Sequence, residues 1–385
     1  MRVAIFTDSY LPTVDGVVNS IRNTKAQLEA LGHHVVVLAP GRDLAGPVEA
    51  EDTLFCPARE LKRYPGYRLA LLPTKRELEF LQGHDVEIIH SHGIAFMGLK
   101  GLWAAREMET PLVETFHTNV LEALPYYATY AKSRFVRGLV ALYLRHFLHH
   151  CGGVVAPSSA ILKELHALAP RIRVSEVIPT GIDTTRFHPG VDGREVRDRW
   201  EVDGADLILY VGRVAPEKGI DLLLEAFARV RGCRPGSKLM VVGKGPALKN
   251  YIHEARRRFP WGDVIFTGFV PDEDLPMYYA ACDAFALPST FETQGLVLLE
   301  AMATGKAVAG VDYRAVPEFV QEGVTGHLAP PGDVEAFARA ILKILEADGE
   351  MARAARRAAE TYSVEAMTQR LLGLYQRLLE VRRGG

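Results

Sequence analysis

The sequence predicts an α/β protein made of two successive doubly wound units, each a mainly parallel sheet covered by helices on both faces. Three observations predict it. At 385 residues the chain is too long for one comfortable hydrophobic core. Short apolar runs alternate with helical patterns throughout, as parallel strands buried on both faces require. After a turn-rich stretch that begins near Pro179, the alternation starts afresh.

Taken in order, Arg2 to Phe6 reads as the first strand, followed by a turn-rich loop and a helical pattern from Val17 to Leu31. His34 to Leu38 is the next strand, closed by Pro40-Gly41. Val86 to His90 and Leu112 to Phe116 follow, each after a helical stretch, and then Gly152 to Ala156 and Glu176 to Pro179. The segment from Thr180 to Glu201 is polar and carries Gly181, Pro189, Gly190 and Gly193, so the boundary is placed at residues 178/179. The second set comprises Leu207 to Val211, Leu239 to Val242, Val264 to Thr267 and Ala284 to Leu287. Ser363 caps a last helix with a stripe of Met367, Leu371, Leu374, Tyr375 and Leu378. The ordinary alternative for such a stripe is an end helix packed on its own domain.

Composition excludes several classes. Hydrophobic content of 48% and charged content of 24% are ordinary for a soluble enzyme. A net charge of −2 argues against a dedicated nucleic-acid binder. The four cysteines are scattered, which makes neither a disulfide framework nor a zinc site. The chain opens directly on a strand with no charged-then-apolar leader, and no run of about 18 apolar residues occurs, so a cytoplasmic location is expected.

The most informative segment is Thr290 to Ala303, TFETQGLVLLEAMA. It holds Glu292 and Glu300 eight positions apart, the second as the only charge in an apolar helix start. A buried carboxylate is costly unless partners satisfy it. A helix N-terminus facing a loop offers unpaired N–H groups to an anion. A polyhydroxyl ligand with a phosphate linkage answers both features, and sugar nucleotides are such ligands. Just after a strand, Tyr210 to Gly219 (YVGRVAPEKG) places Arg213 and Lys218 five positions apart among glycines, where they can neutralise a diphosphate. Val242 to Pro246 and Phe266 to Val270 are further strand-end turns, the position where doubly wound folds bind ligands.

The spacing Glu292-x7-Glu300 in FETQGLVLLEAMATGKAV resembles the retaining GT-B glycosyltransferases related to glycogen synthase and the phosphatidylinositol mannosyltransferases. The resemblance implies two Rossmann-like domains facing across a cleft. Residues 1–178 would bind the acceptor and 179–362 the nucleotide-sugar donor, with the last helix, 363–385, crossing back to the N-terminal domain. It implies pyrophosphate binding by Arg213 and Lys218, and a base pocket lined from the Gly268, Phe269 and Val270 turn. Glu300 would take the ribose hydroxyls, Glu292 the hydroxyls of the transferred sugar, and the N–H groups of Gly295, Leu296 and Val297 the distal phosphate. In the first half, His117 of FHTN resembles the family's sugar-contacting histidine. Gly16 stands where close approach to phosphate is needed, with Asp15 replacing a second glycine that many relatives carry. No G-x-G-x-x-G is present, so a nicotinamide cofactor is not expected. Asp272-Glu273-Asp274 spells the metal–diphosphate signature of a different glycosyltransferase fold, but it opens a helix whose dipole its acids favour. With the cations covering the phosphate, neither a cofactor nor an essential metal is expected.

The acceptor is less legible. Between Glu122 and Glu164 no acidic residue occurs, while Lys132, Arg134, Arg137, Arg145 and Lys163 do, and a second basic patch runs from Arg59 to Arg68. Such segments suit an anionic membrane surface, though solvated basic helix edges would read the same. The stretch from Phe116 to Ile161 looks like that of diacylglycerol glucosyltransferases and sulfoquinovosyl-diacylglycerol synthases. That resemblance implies hexose transfer, UDP-glucose favoured over GDP-sugars, to a lipid hydroxyl such as diacylglycerol's, by a peripheral protein at the inner face of the plasma membrane. The alternatives are the same transfer to a soluble acceptor, a GT-B-shaped sugar-nucleotide epimerase, which needs acid–base groups not found as a clear set, and a non-catalytic nucleotide-sugar-binding module.

Overall fold

The computed structural model describes residues 1–11, 16–41, 48–50, 52–60, 68–117 and 133–384. The chain forms two compact units: Met1–Gly181 with Val364–Gly385, and Ile182–Ser363.

In the first unit the strands are β1 (Arg2–Phe6), β2 (His34–Pro40), β3 (Val48–Ala50), β4 (Thr53–Cys56), β5 (Ala58–Glu60), β6 (Arg68–Ala70), β7 (Ile88–Ser91), β8 (Leu112–Thr115), β9 (Gly153–Ala156) and β10 (Ser175–Val177). Eight of them form one sheet in the order β10-β9-β8-β7-β1-β2-β4-β3. Every pairing is parallel except β3 with β4 at the edge, and β5 and β6 make a separate antiparallel pair. The central strand β1 reads VAIF after its first residue, all buried, because helices cover both faces of a parallel sheet. Helix Gly16–Ala30 follows β1, and its Val18, Ile21 and Leu28 are buried.

The last helix, Val364–Gly384, packs on this unit. A Cβ on Gly153 of β9 would come within 3.1 Å of Leu378, so glycine lets the helix lie close to the sheet. Met367, Leu371, Leu374, Tyr375 and Leu378 are all buried, and Tyr375 places its hydroxyl 2.5 Å from His90 Nδ1. The helix thus belongs to the first unit, as the resemblance implied, and not to the unit that precedes it in the chain; the stripe at helical spacing was legible, but its partner surface was not.

The second unit has β11 (Leu207–Val211), β12 (Lys238–Val242), β13 (Val264–Gly268), β14 (Ala284–Leu287), β15 (Val308–Val311) and β16 (Gly326–Ala329). They form an all-parallel sheet in the order β13-β12-β11-β14-β15-β16. Side chains of β11 alternate between two cores. Leu207, Leu209 and Val211 enter one with Leu298, Met302 and Phe319, while Ile208 and Tyr210 enter the other with Phe227, Phe337 and Ile341. The strand order reverses between β11 and β14, which makes the gap beyond their carboxyl ends the switch point of the sheet.

Candidate functional site

Three turns meet at the carboxyl ends of β11, β12 and β14, and glycines let their backbones touch. Gly243 has φ of 138°, and a Cβ there would sit 1.9 Å from the Gly212 carbonyl oxygen. Gly219, with φ of 70°, would bring a Cβ to 2.5 Å from the Pro288 carbonyl oxygen. The turn after β11 is thus pressed against both the turn after β12 and the loop after β14. The Tyr210 hydroxyl donates to the Arg213 carbonyl at 3.1 Å, and the Val214 N–H donates to the Lys244 carbonyl at 2.9 Å.

This packing brings the sequence-predicted residues of the second unit together. Lys218, in the 3₁₀ turn Pro216–Lys218, donates from Nζ to Glu292 Oε1 at 2.7 Å. The pair straddles the switch point, joining the loop after β11 to the loop after β14. Arg213 pairs with Glu217, whose side chain is only 4% exposed while that of Arg213 is 40% exposed. Each cation therefore rests on a carboxylate, and the four charges cancel. Glu217 was missed in the sequence, where it reads as an ordinary acid in a short turn.

Gly295 adopts φ of 82° as the N-cap of helix Leu296–Ala303, so Leu296 and Val297 form the first turn of that helix. Ser289 is fully buried, and its hydroxyl accepts from the Phe291 N–H at 3.1 Å, shaping the loop that carries Glu292. Glu300, in the second turn of the same helix, accepts from the Tyr279 hydroxyl at 2.5 Å. Burial pushes its carboxyl up to about 7, and Asp272 adds to this, against the hydrogen bond from Tyr279 and the charge of Arg186. Arg186 in turn binds Asp272 at 2.8 Å, and Asp272–Asp274 forms a 3₁₀ turn ahead of helix Leu275–Ala281. Asp272 of the Asp-x-Asp sequence is thus engaged by an arginine. No spacing in the sequence connects positions 186, 279 and 300.

Gly268 ends β13 with φ of 74°. Phe269 is 63% exposed, with the Lys244 ammonium 5.3 Å from its ring centroid, whereas the Val270 side chain is buried in the core. What Val270 can offer a ligand is its main chain.

In the first unit, Gly16 is exposed at the start of helix Gly16–Ala30, while Asp15 lies outside the described residues. Asp8, just past β1, accepts from the Ala95 and Met97 N–H groups at 3.1 and 3.0 Å and so caps helix Phe96–Glu107. His117, two residues past β8, has its Nε2 2.8 Å from His92 Nδ1. Lys132, and Lys62 and Arg63 of the second basic patch, lie outside the described residues.

Helix Arg134–His150 buries Leu144, Phe147 and Leu148 against the unit. It also exposes Phe135, Leu139 and Leu142, at 74%, 51% and 64%. These three recur every three or four residues and form one stripe, with Arg134, Arg137 and Arg145 exposed on the same helix. Phe96 and Leu99 are also exposed on helix Phe96–Glu107, which lies against this one near Gly98 and Phe147. Among the described residues, no helix is long and apolar enough to cross a membrane.

Known proteins agree with this architecture. Residues 194–361 match the family described as "Glycosyl transferases group 1", and residues 14–186 match "Glycosyltransferase Family 4". The chain is 34% identical over 314 residues to an alpha-monoglucosyldiacylglycerol synthase of Streptococcus pneumoniae (strain ATCC BAA-255 / R6), covering 80% of this chain and 70% of that protein. It is 31% identical to a GDP-mannose-dependent alpha-mannosyltransferase of Mycobacterium tuberculosis (strain CDC 1551 / Oshkosh), covering 98% and 96% of the two chains. Its fold matches that of Anabaena HepE in complex with UDP and glucose with a TM-score of 0.76, 20% identity, and 98% and 99% of the two chains covered. With a switch-point site in an all-parallel second sheet and relatives matched along nearly its whole length, the chain belongs to the group 1 glycosyltransferases and has the GT-B fold.

Proposed function

We propose that the protein moves a hexose, with retention at the anomeric carbon, from a nucleoside diphosphate sugar to a lipid hydroxyl at a membrane surface, with UDP-glucose as the favoured donor. The observation that carries the donor half is the Lys218–Glu292 pair across the switch point, with Arg213 in the same turn. A diphosphate arriving there would take both cations from their carboxylates. Lys218 and Arg213 would then stabilise the leaving nucleoside diphosphate as its charge develops, the largest single effect available to such a site. Glu292, released from Lys218, would accept hydrogen bonds from the sugar hydroxyls. The first N–H groups of helix Leu296–Ala303 and Gly295 would serve the distal phosphate. Glu300 would receive the ribose hydroxyls, Phe269 and the Gly268–Val270 main chain the base, and Gly16 and His117 would contact the phosphate and the sugar from the first unit.

The lipid half is supported by the exposed stripe of Phe135, Leu139 and Leu142 beside Arg134, Arg137 and Arg145, the composition of a helix that lies in a membrane interface. It is supported too by the relative named for synthesis on diacylglycerol. A second reading, with GDP-mannose as donor, is favoured by the mannosyltransferase relative, which is matched over 96% of its length. Donor hydrolysis measured across UDP- and GDP-sugars, followed by transfer assays with diacylglycerol in anionic vesicles and with soluble acceptors, separates these readings. Hydrolysis of none of the sugar nucleotides would reject the donor assignment. Transfer that ignores vesicles would reject the lipid.

A further inference from the structure

His90 and His92 stand two positions apart at the end of β7, a spacing that puts both on one face of the sheet. His117 follows β8, the neighbouring strand. The His92 and His117 rings stack with centroids 5.1 Å apart, and the His90 ring lies tilted by 37° against His92 with centroids 4.1 Å apart. Both nitrogens of His90 are engaged, Nδ1 with the Tyr375 hydroxyl at 2.5 Å and Nε2 with the Thr115 hydroxyl at 2.7 Å. That ring is clamped between the sheet and the last helix, and it backs the ring of His92.

His92 is engaged on one side only. Its Nδ1 lies 2.8 Å from His117 Nε2, while its own Nε2 is buried without a partner among the described residues. Burial holds His92 well below the usual histidine range, reinforced by His90 and His117, so its imidazole is neutral and carries a single N–H. An orphaned buried N–H is rarer and costlier than an orphaned lone pair. The N–H therefore belongs on Nδ1, where it has an acceptor, and the bare lone pair belongs on Nε2.

We propose that His92 is a positioning residue for His117, donating its Nδ1–H to His117 Nε2 and so fixing the plane and tautomer of that ring. His117 then accepts at Nε2 and carries its own N–H at Nδ1. In that tautomer Nδ1 is a hydrogen-bond donor and cannot act as a base. The inference rests on the reading of His117 as a sugar contact.

The test compares His92→Ala, His92→Asn, His117→Ala and the double alanine variant, measuring kcat and KM for UDP-glucose hydrolysis and thermal unfolding. His92→Ala should lower kcat about tenfold with little change in KM, the upper range for loss of one hydrogen bond. His92→Asn, whose amide can donate from near the Nδ1 position, should recover most of that loss. The double variant should be no slower than His117→Ala alone, because His92 acts only through His117. Multiplying single effects, or unchanged kcat in His92→Ala beside a slow His117→Ala, would overturn the proposal. Wild-type rates in His117→Ala would instead reject His117 as a sugar contact. Nitrogen-15 NMR of the wild-type histidines gives a readout free of any substrate or variant: His117 should show a bare Nε2 and a protonated Nδ1. The opposite tautomer overturns the proposal whatever the kinetics.

Discussion

At the scale of single residues, the candidate donor site is a set of charges held in check by one another. Lys218 rests on Glu292 and Arg213 on Glu217, so the cations are positioned before a phosphate arrives and little side-chain ordering remains to be done on binding. Replacing Arg213 or Lys218 by alanine should lower turnover by about two orders of magnitude or more while thermal stability stays near that of the wild type. Unchanged turnover in both variants would remove their assigned role. Glu300 carries a pH signature as well. Its carboxyl is raised from 4.5 to about 7 in the folded chain, so the folded protein binds the extra proton, and this group's ionisation costs stability as pH rises through that window. In the proposed contact, ribose hydroxyls would donate to the ionised form. Affinity for the nucleotide sugar, measured by calorimetry between pH 5.5 and 8.5, should therefore strengthen as pH rises through about 7. In Glu300→Gln that dependence should vanish and the affinity at high pH should fall about tenfold or more, from the loss of a charge-assisted bond of ~1.5–3 kcal/mol. A variant that keeps its affinity but loses stability would make Glu300 a structural residue.

At the scale of elements, turns set the geometry. Gly243→Ala forces a Cβ into the Gly212 carbonyl, so it should lower the melting temperature by several degrees, as overpacking costs about 1–3 kcal/mol, and weaken nucleotide binding. Gly262→Ala, also at positive φ but with open space around it, should cost stability without touching binding. Equal effects on binding would detach the turn from the site. Helix Arg134–His150 makes a separate prediction. Changing Phe135, Leu139 and Leu142 to serine should release the protein from anionic vesicles even at low salt. Arg134, Arg137 and Arg145 to glutamate should do the same, and wild-type binding should weaken as salt screens the charges over a Debye length of about 10 Å at 0.1 M. Sedimentation with vesicles measures both, and a wild-type protein that stays in the supernatant at low salt would favour a soluble acceptor.

The elements also show what the sequence could and could not reveal. Strands rich in valine, isoleucine and leucine, such as Arg2–Phe6 and Leu207–Val211, were legible because their burial needs those residues. β15 and β16, reading VAGV and GHLA, were not, since small residues carry no strand pattern. Their glycines are there for fit: a Cβ on Gly310 would meet Val316 at 2.7 Å, and one on Gly326 would meet the Val308 carbonyl at 2.1 Å. At the candidate site, motif spacing singled out Arg213, Lys218, Glu292 and Glu300, and the fold pairs Lys218 with Glu292. The partners Arg186 and Tyr279 lie on segments that only the fold brings near Glu300, so no local pattern could have named them, whereas Glu217, four positions after Arg213, was within reach of local spacing.

At the scale of the whole molecule, the chain passes from the first unit to the second at Gly181–Ile182 and returns at Ser363–Val364. The second unit's two ends are tied together: Ile182 pairs with Ser363, and the Ile182 N–H donates to the Tyr362 carbonyl at 2.9 Å. It also contains two cores of its own, one on each side of its sheet. Such a unit is a cassette, spliced into the first by neighbouring seams. Evolution can swap a cassette whole, and so can an experiment. Exchanging residues 182–363 for the equivalent span of a GDP-mannose-dependent relative should carry the nucleotide preference across in one step, read as the ratio of UDP-glucose to GDP-mannose hydrolysis, while the acceptor stays with the recipient. A folded chimera that keeps the recipient's nucleotide would show that the choice of donor is written outside the cassette. One that switches would mean that donor and acceptor specificities in this lineage are separately inherited traits, free to be recombined.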